Sequence, residues 1–574
     1  MLRNTTCGEL NSSNEGQEVI LAGWCHKIRN LGALVFVDLR DKYGLTQINI
    51  TPELFEKLNL KNEYCIQVKG EVVLRSEANK NMPTGGIEVI AKEVKIFSKS
   101  KLTPFIIDDD TDALEDTRLK SRYLDLRRPC LQRNLAIRAK LMHAARNYLE
   151  NLKFSEIETP TLIKSTPEGA RDYLVPSRTR PGQFYALPQS PQIFKQLLMI
   201  GGTDRYYQMA RCYRDEDLRA DRQPEFTQID CEMSFVDRED VLEVIEGLLS
   251  EVWEKVIGYK LPKFTRISFA DAISKYGSDK PDMRFDMLIQ DVTDILSKGE
   301  FKAFEGKKIK AIVVPNTADK ASRKVQNQDV DIAKKFKTHG VSFFKVVSGE
   351  ITGSLGKFYT PEVLKELQNK TKAKENDLII VGADENEDQM CIALGAIRLK
   401  YGRQLGLMNP DVYAPCFVID WPIFGREDGE IISLSNPFTR PKDEDLKYLE
   451  TDPTKMRSYA YDTVINGSEL SSGSLRIYDG ELQQRIFELL GLEKEDIKER
   501  FGFFVDAFNY GTPPHGGFAL GVERMTMLLA KTENVRDVVA FPKNLSAVDT
   551  MCEAPSTVPQ ESLDILGIQV KENK

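Results

Sequence analysis

The sequence predicts an α+β chain of several domains: a small β-barrel first, then a larger mixed domain split by an inserted α+β segment. Three observations carry this. At 574 residues the chain is too long for one core. Its first hundred residues read as five short strands joined by Gly-, Asn- and Asp-bearing turns. Its middle, from about 280 to 395, turns lysine-rich and lacks the dense motifs that flank it on both sides.

Composition is that of an ordinary globular protein, with 41% hydrophobic and 29% charged residues. The N-terminal stretch MLRNTTCGELNSSNEG has no apolar signal core, and no apolar run approaches the length of a membrane span. The nine cysteines are scattered, odd in number and free of CxxC pairs, so neither a disulfide framework nor a zinc site is expected. A reducing, cytoplasmic setting follows. The formal net charge of −8 neither suggests nor excludes nucleic acid, because binding depends on local basic patches.

In chain order, strands are expected at 18–29, 33–40, 44–50, 63–75 and 86–98. Five strands in so short a span suggest a small barrel, and an oligonucleotide-binding fold leads the candidates. Lys27, Arg29, Phe36, Arg40 and Gln47 lie on the first three strands. Cations, a ring and an amide on one face would bind unstacked bases. The apolar run LVFVDL equally allows Phe36 to be core, and both readings stand at this point.

Residues 101–130 are charged and irregular and read as a linker. A helix over 131–152 follows, with Leu141, Ala145 and Leu149 repeating at four. FSEIETP (154–160) reads as a strand ending in a proline, which suits an edge or interface. Pro167–Glu168–Gly169 is a turn presenting a carboxylate. The helix from Pro191 carries Gln192 and Lys195 on one face; a lysine near an N-terminus opposes the helix dipole and points to a ligand.

RCYRDEDLRADRQPEFTQID (211–230) reads as strand, charged loop, strand. Four arginines among a run of carboxylates cannot sit in a dry core unpaired. Arg214 and Glu216 are expected to point one way at strand period two, with Gln228 and Asp230 doing the same on the return strand. An arginine fork suits phosphate, and carboxylates suit a metal or an ammonium, so a phosphorylated, amine-bearing substrate is the sharper hypothesis. Two further clusters follow. TVINGSELSSGSLRI (463–477) runs from Glu469 through small residues to Arg476. YGTPPHGGFALGVERMTMLL (510–529) alternates Gly517, Ala519 and Gly521 with larger residues before Glu523–Arg524 opens a helix. Small residues on one strand face leave room for a flat ligand such as a base.

No Walker loop, dinucleotide fingerprint or HExxH occurs. The four histidines have no evident serine or cysteine partner. The chemistry is expected to rest on arginines, carboxylates and a metal.

These motifs together resemble the bacterial type of aspartyl-tRNA synthetase, a class II aminoacyl-tRNA synthetase, over essentially the whole chain. FSEIETPTL looks like motif 1, with Pro160 at a dimer interface and Lys153 where a glycine is common. RCYRDEDLRADRQPEFTQID looks like motif 2, and GFALGVER like motif 3 with Ala519 in a glycine slot and Glu523 where many relatives have aspartate. TPEGARDYLVPSR and PQSPQIFKQ match the aspartate branch.

The resemblance implies an anticodon-binding OB-fold barrel (1–104), a hinge (105–130) and an antiparallel-sheet catalytic domain in two parts (131–280 and 396–550). Between these parts lies a bacterial insertion (281–395), and a C-terminal extension (551–574) ends the chain. It implies ATP and Mg²⁺, L-aspartate, tRNA-Asp with tRNA-Asn left open, and a homodimer.

By motif position, Arg214 is expected to hold the ATP α-phosphate and the aspartate α-carboxylate, with Asp215, Glu216 and Gln223 at the nucleotide and Phe226 stacked on adenine. Gly521, Val522, Glu523 and Arg524 complete the ATP site, Arg524 covering the adenine's other face, and Asp462 with Glu469 hold Mg²⁺. Arg214, Glu216 and Arg524 form the expected catalytic set. Glu168 and Asp230 are assigned to the substrate ammonium, Gln192 to its orientation, and Lys195 with Arg476 to its side-chain carboxylate. Phe36 and Gln47 would read the anticodon while Lys27 and Arg29 touch its backbone. One departure stands out. SLSNPFT puts Ser435 and Asn436 where the family has a His-His or His-Asn pair, so a weakened or rearranged aspartate contact is expected.

Competing readings are a relative activating asparagine or lysine, a tRNA-independent paralogue using the aspartyl-adenylate, and a non-catalytic nucleic-acid-binding scaffold. Lys195 with Arg476 disfavours lysine and asparagine, and the retained Arg214, Glu216, Glu469 and Arg524 disfavour a scaffold.

Overall fold

Alternating apolar residues in the first hundred positions close into a five-stranded barrel in a computed structural model that describes residues 1–165, 169–427 and 429–571. The strands are Glu18–Asn30, Val35–Arg40, Leu45–Ile50, Cys65–Leu74 and Ile87–Ser98, close to the expected bounds. Around the barrel the fifth strand lies between the third and the fourth. Val19, Leu21, Cys25, Val37, Leu39, Ile48, Val68 and Val89 point inward, as period-two alternation requires. A helix that sequence reading passed over, Pro52–Leu58, follows the third strand; Thr51 caps it and its first residue is proline.

The chain forms two compact units. The first is Met1–Ala139 with Leu218–Gln223 and Thr532–Pro559; the second is Lys140–Asp217, Pro224–Lys531 and Gln560–Lys574. The stretch read as an irregular linker carries two short helices, Glu115–Lys120 and Arg122–Asp125. The reason is local charge pairing: Asp125 is fully buried and takes ion pairs from Arg122 at 2.6 Å and Arg128 at 3.0 Å. A paired arginine can be buried where an unpaired one cannot.

The second unit is built on an eight-stranded sheet. Its order is Thr265–Ser268, Pro415–Ile419, Ala460–Ile465, Ser468–Leu475, His515–Gly521, Glu225–Ser234, Arg205–Tyr213 and Ser155–Glu156. Only the two outermost pairs are parallel. The helix Gln192–Ile200 packs on Arg205–Tyr213 and Glu225–Ser234, and Arg238–Ile257 packs on His515–Gly521.

The strand expected over 154–160 is shorter: Ser155–Glu156 pair with Tyr206–Tyr207, and Ile157 gives one more bond to Tyr207 before the ladder stops. Lys153 just before it has φ +64°, and Phe154 N–H bonds back to the Leu149 carbonyl at 3.0 Å. That is a helix C-terminus of the kind that favours glycine, and lysine occupies it here.

The stretch expected to be an insertion contains a five-stranded antiparallel sheet, ordered Gln290–Asp291, Lys308–Val314, Leu378–Asp384, Val341–Val347, Glu350–Thr352. Its central strand Leu378–Asp384 is buried throughout, with Glu387–Gln404 among the elements on one side and Pro361–Thr371 on the other.

Candidate active site

Strand register builds the site. Across the antiparallel sheet Gln208, Asp230, Ala519, Ser472 and Asp462 lie directly opposite one another in one row. The next row holds Tyr206, Glu232, Gly517, Ser474 and Ala460. Opposed residues share a face, so Gln228, Asp230 and Glu232 stand beside Gly517, Ala519 and Gly521. The small residues keep that face low. At Gly517 the small residue is obligatory, since a Cβ there would collide with the Cys231 carbonyl and the Glu232 carboxylate.

A buried charge network fills this face. Lys195 Nζ donates to Asp230 Oδ1 at 2.7 Å and lies 3.3 Å from Glu232 Oε2. Arg476 grips Glu232 with Nε at 2.9 Å and Nη2 at 3.1 Å, and its Nη1 donates to Ser474 Oγ at 2.6 Å. All four ionisable groups are under 5% exposed. Burial pushes the Asp230 carboxyl above the usual range despite Lys195. Burial alone would also raise Glu232, but Arg476 and Lys195 outweigh it and hold its carboxyl low.

His515, for which the sequence showed no evident serine or cysteine partner, spans the Pro513 carbonyl and the Gln196 amide. Burial is the main cause of its depressed basicity. Lys195 and Arg476 were expected to meet a substrate carboxylate; in the structure both are paired with internal carboxylates, because two bare buried cations would be prohibitive. Glu232 is the residue sequence reading missed. It lies at period two from Gln228 and Asp230, a signal that was there to use.

The hairpin 211–230 forms as strand, loop, strand, from Arg205–Tyr213 to Glu225–Ser234. Arg214 and Glu216 lie beyond the end of the first strand, so their period-two alignment does not hold: the ladder stops at Tyr213, and Asp215 instead bridges to Arg171. The Arg214 guanidinium sits 5.0 Å above the Phe226 ring, with a buried Nε that has no hydrogen-bond partner among the described residues. Gln192 Nε2 is buried in the same condition. Gln223 belongs to the first unit, where its amide exchanges bonds with the Lys543 backbone at 3.0 and 2.8 Å. Glu168 lies outside the described residues.

Past Gly521 the helix Val522–Ala530 begins. Val522 is fully buried, so only its backbone can meet a ligand, and both Glu523 oxygens accept from Thr227 N–H at 3.1 Å. Arg524 Nη1 donates to the Glu469 carbonyl at 3.0 Å. A β-bulge between Thr463 and Val464 re-aims the start of the next strand, setting Glu469 opposite Val464. Asp462 is buried, and burial followed by the Glu469 charge pushes its carboxyl well up. Lys280, unforeseen in the sequence, pairs with Glu469 Oε2 at 2.9 Å. Ser435 Oγ donates to the Pro422 carbonyl at 3.0 Å, and Asn436 closes a turn by accepting from Phe438 N–H at 3.0 Å.

On the barrel, Phe36 is half-buried between inward-facing Val35 and Val37, so it stands on the outer face. Lys27 is exposed. Arg29, expected at a nucleic-acid backbone, is instead fixed in a fork to Asp38 at 2.8 and 2.9 Å and to Gln47 at 2.9 Å, while Gln47 donates to Glu88 at 2.6 Å. The arginine orders the amide because Asp38 lies across the strand pair from Lys27, within the fork's reach.

The comparisons agree with this architecture. The family model for class II tRNA synthetases (D, K and N) matches residues 114–545, and that for the OB-fold nucleic acid binding domain matches 19–97. Aspartate--tRNA ligase of Streptococcus pneumoniae (strain 70585) is 46% identical over 584 residues, covering 100% of this chain and 99% of its own. The same-named protein of S. pneumoniae serotype 2 (strain D39) is 47% identical over 585, with equal coverage.

Among solved structures, asparaginyl-tRNA synthetase from Pyrococcus horikoshii complexed with asparaginyl-adenylate superposes with TM-score 0.61 at 19% identity, covering 94% of this chain and 98% of that one. Aspartyl tRNA synthetase from Entamoeba histolytica gives 0.58 at 17%, covering 95% and 92%. These two speak for the fold. The chain belongs to the class II tRNA synthetases of the D, K and N group, in the aspartate--tRNA ligase family.

Proposed function

We propose that the chain activates L-aspartate with ATP and transfers it to the 3′ end of tRNA-Asp in the cytoplasm, working as a homodimer through the motif 1 region around Pro160. The observation that carries the substrate assignment is the buried set Lys195–Asp230–Glu232–Arg476 beside the small-residue rows. The two cations balance two internal carboxylates, so the substrate's side-chain carboxylate is read as sharing Lys195 and Arg476 with Asp230 and Glu232. An aspartate side chain offers those two donors an anion, where an asparagine amide offers only a neutral acceptor, and that difference is the proposed basis of discrimination.

In the proposed reaction the aspartate α-carboxylate attacks the ATP α-phosphorus in line and pyrophosphate leaves. Arg214 meets the α-phosphate and Arg524 the phosphate tail, stabilising the charge that grows there. Phe226, already stacked with Arg214, offers the face for adenine. A ribose hydroxyl of the tRNA's terminal adenosine then attacks the aspartyl carbonyl of the adenylate, forming the ester as the acyl–phosphate bond breaks and AMP leaves. No side-chain nucleophile is required.

Asp462 and Glu469 suit Mg²⁺: they are hard oxygen donors in close electrostatic contact. Among the described residues no cluster of three or more His, Cys, Asp or Glu could hold a metal, which fits an ion that keeps water and phosphate ligands. When bound, it supplies charge neutralisation on the phosphates. The barrel's outer face, with Phe36 and the Arg29-ordered Gln47, is the proposed anticodon reader, and Lys27 the backbone contact.

The test is aminoacylation of purified tRNA-Asp and tRNA-Asn with labelled aspartate, with asparagine and lysine in parallel. Aspartate on tRNA-Asp is expected, and charging of tRNA-Asn decides whether a second tRNA is accepted. Adenylate formation without charging of either tRNA would move the chain to the tRNA-independent reading, and activation of asparagine would overturn the substrate assignment.

A further inference from the structure

Lys280 enters the site on a loop with no regular secondary structure, yet that loop is pinned on every side. Lys280 N–H donates to Ser278 Oγ at 3.0 Å. Asp282, 3% exposed, is forked by Arg284 at 3.0 and 2.7 Å. Arg284 reaches on to the Asn409 carbonyl at 3.0 Å. The buried Arg398 donates to the carbonyls of Asp282, Phe285 and Asp286. The hairpin turn at Gly467 runs close by: a Cβ there would lie 3.4 Å from the Asp282 Cβ and 3.7 Å from the Lys280 carbonyl oxygen.

So much anchoring under one surface lysine is not explained by the ion pair it makes. At 38% exposure, against 25% for Glu469, such a pair contributes little to stability. What it does supply is a positive charge 2.9 Å from Glu469 and 3.9 Å from Asp279, close enough to act electrostatically on the buried Asp462; among the described residues no other lysine is ion-paired with Asp462 or Glu469. Arg524 approaches Glu469 Oε1 only to 3.8 Å, its closer bond being to the backbone carbonyl.

We propose that Lys280 is a built-in counter-cation for the Asp462–Glu469 pair, displaced by the divalent metal and then turned to the nucleotide's phosphates. It holds the carboxylates in place while the site is empty. On nucleotide entry the ammonium is the flexible member of the set, on a four-carbon stem with three rotatable donors. The inference rests on the metal reading above and adds a residue to it.

The test uses the full-length chain and Mn²⁺ as the probe, read by electron paramagnetic resonance without nucleotide, alongside aspartate-dependent pyrophosphate exchange. Lys280→Met is expected to bind Mn²⁺ about tenfold more tightly, because the competing charge is gone. Its KM for ATP is expected to rise about tenfold while kcat moves less than about threefold. Lys280→Arg is expected to restore both. Unchanged Mn²⁺ affinity in Lys280→Met overturns the inference, as does a failure of Lys280→Arg to restore it. Glu469→Gln separates the two levels. If it abolishes Mn²⁺ binding while Lys280→Met changes nothing, only the Lys280 role falls. If it leaves Mn²⁺ binding intact, the metal reading falls and takes the Lys280 role with it.

Discussion

Ser435, expected from the motif resemblance to stand where a histidine is usual, is tied into its own loop. Its hydroxyl is held by the Pro422 carbonyl, so it ties its loop to the adjoining backbone rather than offering a donor to a substrate. Replacing it with the histidine that the resemblance leads one to expect should lower the KM for aspartate in pyrophosphate exchange; an unchanged KM would sink the idea that this contact was lost. His515 gives a second prediction. Its imidazole is held below the ordinary 6.5 by burial first, with Arg476 and Lys195 adding to that and Glu232 and the Pro513 carbonyl opposing. The unfolded chain takes up a proton near the ordinary value while the fold resists it. Stability is therefore full above about pH 6.5 and is lost as pH falls toward the depressed folded value, by up to about 1.4 kcal/mol per pH unit. Scanning calorimetry from pH 7.5 to 5.5 should show a steeper fall for the native chain than for His515→Gln, and parallel falls would refute the assignment.

At the scale of the element, Gly517 has the least room for a side chain among the glycines of the eight-stranded sheet. A Cβ there would meet the Cys231 carbonyl and the Glu232 carboxylate. Gly517→Ala should therefore destabilise the second unit by about 1–3 kcal/mol and also weaken aspartate activation, because the carboxylate it strikes holds Arg476. Loss of stability with normal aspartate KM would separate the two effects and disprove the coupling. The helix ending at Asn151 predicts the reverse sign. Lys153 follows it at φ +64°, where a side chain is strained, and Lys153→Gly should raise the midpoint of thermal unfolding by the equivalent of about 0.5–1 kcal/mol. An unchanged or lower midpoint would mean that the unfolded-state entropy of glycine cancels the relief.

At the scale of the molecule, the proposed homodimer gives a mass near twice 65.1 kDa in sedimentation equilibrium, and a species at the monomer mass at micromolar concentration would contradict it. The same measurement after Pro160→Ser tests whether the motif 1 region carries the association, with a shift toward monomer expected. No helix among the described residues is long and apolar enough to cross a membrane.

How much was legible followed from how local each signal was. Period-two alternation in the first hundred residues gave the barrel strands almost to the residue, because the inward positions are apolar with few exceptions such as Thr46. The motif 2 hairpin was readable for the same reason, since a charged loop between two strand-like runs has few other solutions. The short helices at Glu115–Lys120 and Arg122–Asp125 were not, because what orders them is the buried Asp125 and its arginines.

By itself the sequence determined the class of fold, the identity of the charged groups and the order in which they arrive: these are properties of residue type, spacing and pattern. Which charges neutralise which was decided only by the tertiary structure. Lys195 and Arg476 meet Asp230 and Glu232, Arg29 turns to Asp38 and Gln47, and Lys280 reaches Glu469 from 189 positions earlier in the chain. Electrostatic pairing depends on distance in space and on exclusion of water. Both are set when distant strands come into register, and neither is written in any single stretch.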